Sequence, residues 1–137
     1  MNIIKLLILC AVMLYGAITD IRRREVDNFI PLMVGITALI GISTMDIPFM
    51  LLSAAVVFVP QLIIAMVKPS GYGGGDIKFT TACVFLLGID RGLTAMILGL
   101  VLSLLFALGY RIVKRKRFEH LPLVPFYAIG TVVAYIL

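Results

Sequence analysis

The chain reads as a series of long apolar runs separated by short polar breaks. Residues 1–19 are apolar apart from Asn2 and Lys5, and strong charge follows as Asp20-Ile21-Arg22-Arg23-Arg24-Glu25. A secretory signal peptide places its positive charge first and ends in a small-residue cleavage site. The reverse order here predicts a retained helix with its N-terminus outside and its C-terminus in the cytoplasm. A second run covers residues 29–42, with Pro31 near its start, where a helix tolerates proline. After the polar break Ser43-Thr44-Met45-Asp46, residues 47–67 form the clearest span, interrupted by Pro60 and Gln61. A proline there is expected to kink the helix, which neighbouring helices can accommodate.

The next stretch, Ser70-Gly71-Tyr72-Gly73-Gly74-Gly75-Asp76-Ile77-Lys78, is costly to order as helix and reads as a shaped loop. The apolar run behind it, residues 77–89, has only 13 residues, with Lys78 its only charge. A membrane crossing takes about 20 residues. Counting back from Ile89 therefore brings Asp76 to the membrane surface or below it, where an ionisable group marks a functional site. Residues 79–113 would make one helix of roughly 52 Å, too long for a hydrocarbon core of about 30 Å. Gly88-Ile89-Asp90-Arg91-Gly92 is the natural break, giving a short fourth helix and a full fifth. Residues 111–120 read as a basic loop, and residues 121–137 as a sixth span opened by Pro122 and Pro125.

The expected fold is thus all-α, a single bundle of six transmembrane helices over residues 1–137. With both termini outside, ten of the 12 basic residues fall on the cytoplasmic side and only Lys5 and Arg91 outside, as the positive-inside bias requires. The same topology puts Asp20 and Asp76 on one side.

Composition agrees. A hydrophobic fraction of 62% and a mean hydropathy of +1.15 far exceed the roughly 45–50% apolar content of soluble domains. The net charge of +5 lies beside apolar spans, without the soluble basic face and aromatic platforms of a nucleic-acid binder. Cys10 and Cys83 sit inside apolar runs without CxxC spacing and read as small packed hydrophobes. One histidine, His120, excludes a His-rich metal site, and no metal or cofactor is expected.

Of seven acidic residues, Asp46 and Asp90 read as solvated turn residues. Glu25, Asp27 and Glu119 sit among cytoplasmic basic residues and balance them. Asp20 ends the first helix and Asp76 begins the fourth. Alone, each has an ordinary reading: Asp20 pairs with the arginines, or Asp76 is held by glycine amides. Together, two carboxylates in a poorly hydrated site cannot both ionise cheaply, so one keeps a proton. Such a coupled pair can run peptide hydrolysis, one member taking a proton from water and the other hydrogen-bonding the scissile carbonyl. There is no G-x-S-x-G, and Asp76 stands where a P-loop would need lysine.

Gly73-Gly74-Gly75-Asp76 resembles the G-x-G-D signature of intramembrane aspartic proteases, and its continuation Ile77-Lys78 resembles the type IV prepilin peptidases. Thr19-Asp20-Ile21-Arg22-Arg23-Arg24-Glu25-Val26-Asp27-Asn28 is similar to that family's first aspartate and its "R-x-I-P-N" pattern. Leu121-Pro122-Leu123-Val124-Pro125-Phe126-Tyr127 is similar to its "P-F-x-P-F" helix start. Asp27 stands where proline is common, and Leu123 where phenylalanine is usual. The resemblance implies six transmembrane helices in the cytoplasmic membrane and cleavage of the basic leader of pilin-like precursors at its cytoplasmic face. It implies catalytic roles for Asp20 and Asp76 and close substrate approach at Gly73 and Gly75. It also implies a short form, like those serving tight-adherence pili, without the N-methylating region of larger bacterial enzymes. A basic leader needs acidic receivers, and Glu25, Asp27 and Glu119 are the candidates. The basic loop is expected to bind anionic lipid headgroups. The rival reading is a small transporter or channel subunit using Asp20 and Asp76 as a proton or ion relay; midplane carboxylates in continuous helices would mark it.

Overall fold

Long apolar runs can satisfy their backbone in lipid only as helices, and that is what the computed structural model contains over the residues it describes, 3–23, 26–68, 73–114 and 121–137. The described residues form α1 (Ile3–Arg23), α2 (Phe29–Leu39), α3 (Ile47–Val67), α4 (Gly74–Leu87), α5 (Ile89–Lys114) and α6 (Val124–Ile136). Only α1, α3 and α5 are long and apolar enough to cross a membrane. The others have 11, 14 and 13 residues, short of the roughly 20 a crossing takes. Long and short helices therefore alternate along the chain. Their outward surface is apolar, with Leu7, Leu14, Phe49, Leu105 and Ile112 all exposed, as a lipid-facing protein requires.

Several expected boundaries move. The second helix stops at Leu39, not at residue 42. Gly88 alone breaks the long fourth run, at a φ of 78° that favours glycine; α5 starts at once, so Asp90 is an exposed residue of its first turn rather than a loop residue. Helix α3 runs through Pro60 without interruption. The main correction concerns the glycine stretch. Gly74, Gly75 and Asp76 are not loop but the first turn of α4, with Gly73 as its N-cap. Glycine costs a helix little there, because the first N–H groups have no intrahelical partner in any case.

Helix α4 is central, packed against α2, α3, α5 and α6. Among the described residues helix α1 lies against α2 and α6, and its backbone makes no close approach to that of α4. Around α4 the core gathers Phe79, Cys83 and Leu86 with Leu9, Met13, Ile30, Val34, Val124 and Tyr127. A buried Lys5 near the start of α1 donates to the carbonyl oxygens of Ala38 (2.9 Å) and Ile40 (3.4 Å), at the C-terminal end of α2. This fixes one end of the bundle and places the start of α2 at the other, beside the end of α1.

Candidate active site

At that second end, α1 delivers Asp20 one turn before its terminus, 6% exposed. Oδ2 of Asp20 accepts the backbone N–H of Val124 at 3.0 Å. Val124 opens α6, so the carboxylate satisfies one orphan N–H and meets the positive end of the helix dipole. The neighbouring Thr19 hydroxyl bonds its own helix, to the Gly16 carbonyl at 2.9 Å, and is not spent on Asp20.

Asp76 is the third residue of α4 and half-buried. Its side chain turns back over Gly73: a Cβ built there would stand 3.2 Å from Asp76 Oδ2. Among the described residues nothing donates a hydrogen bond to this carboxylate. The charge of Asp20 acts on it directly, although the two residues are 56 positions apart. Helices α1 and α4 are each packed against α2 and α6, which hold the two carboxylate-bearing ends in one neighbourhood.

The turn that carries Asp76 is tied down on two sides. Toward α3, the Thr80 hydroxyl lies 2.9 Å from both the Asp76 carbonyl oxygen and the Gln61 amide. Its single proton can go to only one of them. An amide turned with its nitrogen toward Thr80 would make both bonds at once and employ the buried Nε2 that otherwise lacks a partner. Toward α2, Lys78 Nζ donates to Asn28 Oδ1 at 2.9 Å, and a Cβ on Gly75 would lie 2.8 Å from Val26 Cβ.

The two outer glycines of the motif therefore have neighbours within the chain, the Asp76 carboxylate for Gly73 and Val26 for Gly75, while Gly74 has none within 4 Å. Asp27 lies at the rim, its carboxylate 4.0 Å from the Arg23 guanidinium in an exposed pair, which agrees with charge balance. Glu25 and Glu119 lie outside the described residues, as do residues 70–72 of the glycine stretch. Sequence reasoning did not assign roles to the Val124 N–H, Gln61, Thr80, Asn28 or Lys78. The only local signal was polarity inside apolar runs, at Gln61 and Lys78, and polarity does not name a partner.

A family model described as the type IV leader peptidase family matches residues 7–108. A curated relative, the prepilin leader peptidase/N-methyltransferase of Bacillus subtilis (strain 168), is 31% identical over 130 residues, covering 88% of this chain and 50% of that protein. The chain thus spans about half the length of the curated relative it matches. No solved structure matches.

Proposed function

Since the chain belongs to the type IV leader peptidase family, we propose that it is a membrane aspartic endopeptidase that removes the leader of pilin-like precursors, with Asp20 and Asp76 as its catalytic pair. The observation that carries this reading is that two carboxylates 56 positions apart in sequence, one ending α1 and one beginning α4, come close enough for the charge of one to act on the other. A relay of ions would want such groups within continuous helices at mid-membrane; here one ends α1 and the other begins α4.

The surroundings divide the labour. The Val124 N–H and the α6 dipole favour the anion on Asp20. Asp76, removed from water by burial, without such a donor and with a like charge nearby, holds the shared proton. A water held between the two carboxylates gives its proton to Asp20 as its oxygen attacks the scissile carbonyl carbon. Asp76 transfers its proton to the carbonyl oxygen, leaving a neutral tetrahedral diol. On collapse Asp20 returns a proton to the departing amine, and Asp76 regains one from a diol hydroxyl.

The six helices sit in the cytoplasmic membrane with the site at the cytoplasmic face, supported by the ten basic residues that this topology places there. Glu25, Asp27 and Glu119 receive the basic leader; the long, exposed Arg23–Asp27 pair is weak enough to exchange partners. The test is co-expression with pilin-like precursors and intact-mass measurement of the product. Leader loss that disappears in both Asp20→Asn and Asp76→Asn, with both variants still inserted in the membrane, supports the assignment. Cleavage that survives either change overturns it. The same spectrum shows by a methyl-mass increment whether methyl transfer accompanies cleavage.

A further inference from the structure

Asn28 occupies the N-cap of α2, the position where an asparagine side chain ordinarily accepts an N–H of its own helix. It does not: its backbone is already helical, at φ −57° and ψ −19°, and it makes no side-chain cap bond. Its Oδ1 instead accepts from Lys78 Nζ, 50 residues away on α4. Lys78 is equally misplaced by local rules. A cation in the N-terminal half of a helix gains nothing from the dipole, and among the described residues it forms no ion pair with Asp76, two positions earlier. Both residues forgo their local roles for one tertiary bond. One turn away the same two segments touch again, where a Cβ on Gly75 would be 2.8 Å from Val26 Cβ. Asp76 sits between these two points of attachment, and Val26–Asn28 is the segment that leads away from the α1 terminus bearing Asp20.

Resting on the peptidase reading above, we infer that Asn28 and Lys78 are positioning residues: their bond, with the Val26–Gly75 contact, clasps the first turn of α4 to the α1–α2 connection and sets the spacing of the two carboxylates. Among the described residues helices α1 and α4 have no direct backbone approach, so this exposed bond acts alongside the packing of α4 on α2, α3, α5 and α6 to set where Asp76 stands relative to Asp20. The contribution is to geometry, and misplacement of reacting groups by about 1 Å can cost on the order of 100-fold in rate.

The test compares the wild type with Asn28→Ala, Lys78→Met, their combination and the acceptor-preserving Asn28→Asp, all purified in nanodiscs. Amide hydrogen exchange of residues 73–78 is expected to quicken in both single variants and in the double, to stay near wild type in Asn28→Asp, and to leave α5 unchanged. For cleavage of a pilin-like precursor, kcat should fall about 10-fold or more with KM within about twofold. The double variant should be no worse than the worse single, and Asn28→Asp should recover most of the rate. Unchanged exchange over residues 73–78, or losses that multiply in the double variant, would overturn the clasp. Failure of the peptidase reading shows separately, as a wild type without cleavage or an Asp20→Asn variant that still cleaves; the exchange measurement then decides the clasp by itself.

Discussion

Helix α1 carries a buried charge at each end, and the two are treated in opposite ways. Lys5 and Asp20 are 8% and 6% exposed, about 22 Å apart along the helix. The ammonium of Lys5 meets the carbonyl oxygens that end α2, groups that need donors and carry negative partial charge. Asp20 receives one backbone N–H and has another carboxylate near enough to feel its charge. A buried charge surrounded by its complement fastens two helices. A buried charge set beside its like holds a proton that can move. Burial alone does not separate structural from reactive groups; the sign of the neighbour does.

Removing the charge at either end breaks the comparison most sharply. Asp20→Asn or Asp76→Asn should lower single-turnover cleavage by about 10²–10⁴-fold or more, while heating in detergent shows melting no lower than wild type, because a neutral amide is less costly to bury than a carboxylate. Gly75→Ala should be the most damaging small change near the site. Its methyl group would stand 2.8 Å from Val26 Cβ, an atom bonded directly to backbone, and overpacking of this kind costs about 1–3 kcal/mol, read as a lower denaturation midpoint together with slower cleavage. Lys5→Met should cost a similar stability, about 1–3 kcal/mol for carbonyls left without their donor. The kcat of the folded fraction should stay within about twofold. A large kcat loss there would deny that the Lys5 end is purely structural. Gly74→Ala, with nothing within 4 Å, should be neutral or stabilise by up to about 1 kcal/mol in thermal melts.

The apolar pattern made α3 legible to the residue, and the onset of charge at Asp20 marked the end of α1 to within one turn. The fourth element was misjudged at its start because composition cannot distinguish a glycine loop from glycines filling the first turn of a helix, where they cost little. The two aspartates stood out as ionisable groups at the edges of apolar runs. Their surroundings did not, since Val124 is 104 positions from Asp20 and Asn28 is 50 from Lys78. No periodicity encodes which helix N-terminus meets which carboxylate. Lys5 entered the sequence pattern only as one of two basic residues outside, and nothing local to it announced carbonyl partners more than 30 residues away. That α1 and α4 come together only through α2 and α6 is a property of which helices share neighbours, and a one-dimensional pattern carries no trace of it.

The central claim is that Asp20 and Asp76 act as one pair sharing one proton. The pH dependence of single-turnover cleavage by the membrane-embedded enzyme tests it most directly, with a precursor whose own charge is constant over the range. The account predicts a bell, with the rate lost at low pH when both carboxylates are protonated and at high pH when both are ionised. A rate that climbs with pH to a plateau and stays there, as for a single ionised base, would contradict it.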